Sequence, residues 1–186
     1  MRSLGELLKT ESRRQSRHRY YLHYRGGSTI DWCRRGSDDL REENCIVVFQ
    51  TGINNLLNTN QTFNNILHQI GELVKENIRR NRRVVFCSII PANLGDYDLQ
   101  ECIKELNELI EVRVIEEGGE FLNLQKHFEW KGRLSTYLYG EETCGYLHLN
   151  MDGNKVFLRQ MEAIIEGKTR MCSQVFRRSR SIITHY

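Results

Sequence analysis

A chain of 186 residues and 22.0 kDa, 39% hydrophobic and 27% charged, is long enough for one domain with its own core and too apolar to stay disordered. No apolar run approaches the roughly 18–20 residues that cross a bilayer, which excludes a membrane span, and a start that carries Glu6 and then arginines is a poor secretory leader. The net charge of +3 is uneven: residues 1–25 hold +5 and residues 168–186 another +5, leaving −7 for the body between them.

Residues 2–9 place Leu4, Leu7 and Leu8 at helical spacing, and the polar, basic stretch from Glu11 to Arg19 follows. Tyr20–Tyr24 has strand character and ends at the corner Arg25-Gly26-Gly27. Ser28 or Thr29 can cap a helix carrying Ile30, Trp32 and Cys33. Ile46-Val47-Val48-Phe49 reads as a buried strand that stops at Gln50-Thr51-Gly52 and then presents Asn54 and Asn55. From Thr62, Phe63, Ile66, Leu67, Ile70, Leu73, Val74 and Ile78 form an amphipathic helix closed by Arg79, Arg80, Arg82 and Arg83.

Val84 to Ile90 is a second buried strand, stopped by Pro91, with a loop to Tyr97 at its carboxyl end. Leu99 to Val114 gives a further helix ending near Gly118-Gly119, and Glu120 to Leu124 a short last strand. Residues 125–143 keep no period and are long for a plain connection, which marks a working loop. Gly145 to Gly153, containing His148, leads into a final helix with Val156, Phe157, Met161, Ile164 and Ile165. Residues 167–186 show no core pattern and read as a basic mobile tail to a domain spanning 1–166.

Strands alternating with helices at this spacing predict βαβ units: a three-layer α/β/α sandwich around a parallel, flavodoxin-like sheet. Ligands in such sheets bind beyond the carboxyl ends of the strands. Six cysteines without a CxxC pair imply neither zinc nor a disulfide framework, so free thiols in an intracellular, cytoplasmic setting are expected, with no cofactor. Clustered arginines are either solvated faces or a polyanion contact. On the second reading the candidates are Arg17, Arg19, Arg25, Arg79, Arg80, Arg82, Arg83, Arg177, Arg178 and Arg180. Tyr20, Tyr21 and Tyr24 then either pack the strand or stack on unpaired bases.

Three features fall at the carboxyl edge of the predicted sheet: Gly26-Gly27, Gly52-Ile53-Asn54-Asn55, and His148 in Leu147-His148-Leu149-Asn150. Their order resembles the SGNH (GDSL-type) hydrolase family. The resemblance implies that Asn54 and Gly26 or Gly27 belong to an oxyanion hole and that His148 is the general base for a serine nucleophile. The departures are specific. No Gly-Asp-Ser block is present, Gly145 stands where an aspartate would orient the histidine, and Asn55 replaces an aspartate. Ser3 has neither the strand nor the aspartate that would make it a nucleophile. The sheet's first strand, which lies mid-sheet in the family, is also not found, so either another segment fills its place or ladder groups stay unpaired.

Arg82-Arg83-Val-Val-Phe-Cys-Ser-Ile-Ile-Pro-Ala-Asn-Leu-Gly95-Asp-Tyr97 and Arg25-Gly-Gly-Ser-Thr-Ile30 further resemble the Oskar C-terminal, RNA-binding branch of this fold. That resemblance implies a catalytically incomplete domain that binds RNA through basic surface, His148 being a vestigial base. The alternatives are a fragment or late-start form of an SGNH esterase using Ser-His chemistry, and an interaction domain for protein partners.

Overall fold

The two apolar runs Ile46–Phe49 and Arg83–Cys87 form the strands β2 and β3, paired in parallel with Ile46 beside Arg83 and Phe49 beside Phe86. They lack a polar face because both sides of the sheet are covered. Val47, Phe49, Val84 and Phe86 pack on one side against Ile30 and Cys33, Ile66, Ile70, Leu73 and Val74, and Ile103, Leu106, Ile110 and Val114. Ile46, Val48, Val85 and Cys87 pack on the other against Phe128, Leu138 and Tyr139, and Phe157, Met161, Ile164 and Ile165. Alternation along each strand therefore feeds two cores, and the result is the predicted three-layer α/β/α sandwich.

The computed structural model describes residues 19–23, 27–94, 97–140, 145–167 and 181–185, with the backbone alone for 19–23, Tyr97 and 181–185. The helices of the first face are α1 (Ile30–Asp38), the single turn α2 (Ile53–Leu56), α3 (Phe63–Arg79) and α4 (Tyr97–Glu116). Thr29 and Thr62 cap α1 and α3 by accepting from Trp32 N and Asn65 N. The second face holds the short α5 (Gln125–Phe128) and α6 (Met151–Ile165). Residues 125–138, read from sequence as an aperiodic loop, contain α5, a hairpin pairing Glu129–Trp130 (β5) with Arg133–Leu134 (β6), and a 3-10 turn, Thr136–Leu138.

The main sheet has the order β1-β7-β2-β3-β4, with β1 at Arg19–His23, β4 at Glu120–Leu122 and β7 at Ser181–His185. All its pairings are parallel. The position expected to be empty mid-sheet is filled from within the chain: β7 lies between β1 and β2, setting Ile182 beside Ile46 and His185 beside Phe49. This corrects the expectation of a tail over 167–186, whose last residues supply a central strand. β4 is consequently not the chain's last strand.

β3 ends three residues earlier than the sequence predicts. Asn107 of α4 takes over there, its Oδ1 accepting from Ile89 N (2.7 Å) and its Nδ2 donating to Ile89 O (2.9 Å). A side-chain amide thus satisfies both backbone groups that a strand neighbour would have bonded.

Candidate functional site

Beyond β2 the backbone turns through Gly52, whose φ of 118° lies in the left-handed region and whose missing Cβ leaves room for Ile89 Cδ1. The turn α2 that follows aims its two asparagines at the start of α1. Half-buried Asn54 donates from Nδ2 to Ser28 O at 2.9 Å. Asn55 is buried; its Oδ1 accepts from Ile30 N at 3.0 Å and its Nδ2 donates to Gln69 Oε1 at 3.2 Å. These bonds close the Gly27–Thr29 corner onto the end of β2. Gly27 sits there with a φ of 72°, exposed. Gly26 lies outside the described residues.

Asn55 therefore anchors the corner, a task that sequence reading did not assign to it. The signal was available in principle: an amide can both accept from a helix's first N–H and donate onward, whereas a carboxylate only accepts. Asn54 keeps one amide hydrogen uncommitted among the described residues, so an oxyanion-type donor is present at the edge where it was expected.

His148 lies at the entry to α6, on the loop tied to the carboxyl end of β3. Tyr146 N donates to Asn93 O at 2.8 Å and Asn93 N returns to Tyr146 O at 3.3 Å. Tyr139 OH donates to Pro91 O at 2.5 Å, and burial pushes its phenol well above the usual range. Asn150 then caps α6, accepting from Asp152 N and Gly153 N while its Nδ2 donates to Tyr137 O and Tyr139 O. The His148 imidazole is exposed, with no hydrogen-bond partner among the described residues.

Gly145, three residues before it, has φ 63°, and a Cβ there would come within 2.7 Å of Asn93 O and 2.8 Å of Leu94 Cδ2. The backbone pair that closes this loop leaves no space for a carboxylate at 145.

The arginine cluster after α3 lies at the opposite, amino-terminal end of β3 and is largely committed inside the molecule. Arg82 is 4% exposed; it donates from Nε to Glu42 O, from Nη1 to Ser37 O and Asn77 Oδ1, and from Nη2 to Leu40 O. Arg83 grips Glu120 through two bonds of 2.5 and 2.7 Å. Arg80 bonds Ser37 O and Asp38. Arg79 alone of the four is exposed. Arg82, with its donors spent on carbonyls, is not available to a polyanion, and the cluster is corrected from a binding surface to a clamp that holds the C-terminus of α1. Arg17, Arg25, Arg177, Arg178 and Arg180 lie outside the described residues, and Arg19 belongs to β1. Among the described residues no three His, Cys, Asp or Glu side chains converge as a metal site.

No protein-family model matches the sequence and no curated protein matches it. Solved structures do. The OSK domain of Drosophila Oskar superposes with a TM-score of 0.66 at 16% identity, covering 75% of this chain and 71% of that one. A GDSL-like lipase from Bacteroides thetaiotaomicron gives 0.67 at 16% identity over 88% of this chain and 98% of that one. The lipase/acylhydrolase from Enterococcus faecalis gives 0.63 at 17% identity over 80% and 75%. With the strand order, the two-faced core and the edge that gathers Gly27, Asn54 and the His148 loop, these likenesses establish that the chain has the fold of the SGNH (GDSL-type) hydrolases, the fold also of the Oskar OSK domain.

Proposed function

We propose that this chain is a catalytically incomplete SGNH-type domain that works as a binding module for RNA. The observation that carries binding over catalysis is Gly145. A base histidine needs a partner that fixes its tautomer and stabilises the imidazolium, and a side chain at 145 would strike Asn93 O. RNA as the ligand is supported by the +5 at each end of a chain whose body is acidic and by the resemblance of the Arg82–Tyr97 and Arg25–Ile30 stretches to the Oskar branch. Since Arg80, Arg82 and Arg83 bond within the molecule, the contact set of this proposal is Arg17, Arg19, Arg25, Arg79, Arg177, Arg178 and Arg180.

Fluorescence anisotropy with a single-stranded RNA tests the proposal. Log affinity should fall linearly with log salt, by about 0.7 per phosphate contacted. Replacing Arg17, Arg19 and Arg25 by glutamine should weaken binding and flatten that slope. No binding at low ionic strength would overturn it. One observation favours an esterase instead: the uncommitted Asn54 hydrogen beside the Ser28 turn. On that reading, the protein hydrolyses a short acyl ester above background and His148→Ala abolishes the activity.

A further inference from the structure

We propose that the cleft between the start of α1 and α3 takes one unpaired nucleobase, adenine by preference, and reads its edge with Gln61. The inference rests on the RNA reading above and adds a base-specific site to it. The cleft has a volume of 330 Å³ and is lined in part by Thr29, Arg34, Asn55, Gln61, His68 and Gln69. That is the lower end of the roughly 300–1,000 Å³ of small-molecule sites.

Its inner wall is a relay of three amides whose polarity is set by the backbone. Ile30 N–H can only donate, so Asn55 must turn Oδ1 towards it. Asn55 Nδ2 then faces Gln69 Oε1, and Gln69 Nε2 in turn donates to Gln61 Oε1 at 3.2 Å. None of the three can flip without setting donor against donor or acceptor against acceptor. The relay runs from buried Asn55 outward and ends at Gln61, whose backbone N–H is pinned to Asn58 O at 2.9 Å. Gln61 is left with both Nε2 hydrogens and one Oε1 lone pair uncommitted among the described residues.

A planar donor–acceptor pair of this kind matches the adjacent amino group and ring nitrogen of adenine. Because Gln69 holds Oε1 at the inner side, the base substituent that enters deepest must be an amino donor. A carbonyl there, as in uracil, would meet a lone pair. Arg34 and His68, both planar groups of the kind that stack on bases, line the same cleft. Asp31 and Glu72 also line it. They offset Arg34 and leave little attraction for a phosphate, so the cleft suits the neutral base while the basic ends serve the backbone. Asp31 pairs with Arg34 and Arg35, and Glu72 with Lys75.

The test uses the full chain. Adenosine and uridine monophosphates are titrated while NMR follows the side-chain amides of Asn55, Gln61 and Gln69. In parallel, oligo(A) and oligo(U) binding is measured at one salt concentration for the wild type and Gln61→Glu. The expected results are amide shifts with the adenine nucleotide and an oligo(A) preference on the order of tenfold. In Gln61→Glu that preference should vanish with the salt slope unchanged. RNA bound without base preference, with no amide shift on the adenine nucleotide, overturns the cleft and leaves the RNA reading standing. Amide shifts without any RNA binding support the cleft and overturn the RNA reading. Silence in both assays overturns both.

Discussion

Arg82 shows how one buried cation holds three segments together. Its guanidinium collects the carbonyls of Ser37, Leu40 and Glu42 and the Asn77 amide oxygen, joining the end of α1 and the following loop to α3 and the entry of β3. Burial is the largest influence on its pKa and lowers it, but an arginine starts so high that it stays charged. Each acceptor would otherwise be an orphaned oxygen away from water. Removing one such partner costs about 1–3 kcal/mol per unsatisfied group, moderated where water can reach it. Arg82→Met should therefore lower the unfolding free energy by about 3 kcal/mol in urea titration. Arg79→Gln, at the exposed neighbour, should stay within about 0.5 kcal/mol of wild type. Equal, small losses in both variants would mean that the carbonyls find water when the guanidinium is gone.

At the scale of elements the central question is β7. It gives β2 a neighbour on the side away from β3 and pairs β1 as well. A strand with ladders on both sides cannot lose a backbone N–H without leaving a carbonyl unpaired mid-sheet. Ile183, in register with Val47 and Tyr21, sits at the middle of that ladder. Ile183→Pro should cost about 3 kcal/mol or more and lower the thermal midpoint sharply; an unchanged melt would show that β7 contributes nothing to the sheet. This element was also the least legible in the sequence. Ile46–Phe49 and Val84–Cys87 announce themselves because a strand covered on both faces is apolar throughout. Ser181–His185 offers two isoleucines in a basic stretch, and its partners lie far away along the chain. The corner glycine, Asn54 and His148 were legible as motif residues. The inward commitment of Arg82 and the blocked space at Gly145 depend on carbonyls of residues distant in sequence, which no local pattern displays.

For the molecule as a whole, the two cores leave several ionisable groups with no water to charge against. Burial raises the Cys33 thiol from its ordinary 9.0 to about 11, and burial likewise raises Cys87 and Tyr139. Cys33 is fully enclosed between α1 and the sheet. A thiol whose folded pKa exceeds its unfolded value gives up its proton more readily in the unfolded chain. Its contribution to stability is whole below pH 9 and is lost as pH rises towards 11. Cys87 and Tyr139 act in the same direction, so their losses extend the alkaline decline. Urea midpoints measured at rising pH should accordingly hold level up to pH 9 and fall beyond it, by about 2 kcal/mol near pH 11 from Cys33 alone. Lysines titrate in the same range, so the decisive comparison is Cys33→Ala. That variant starts less stable because a small void replaces the sulfur, yet its alkaline fall should be shallower than that of the wild type. Parallel curves for the two proteins would show that the Cys33 thiol ionises as easily folded as unfolded, and that the core beneath α1 admits water.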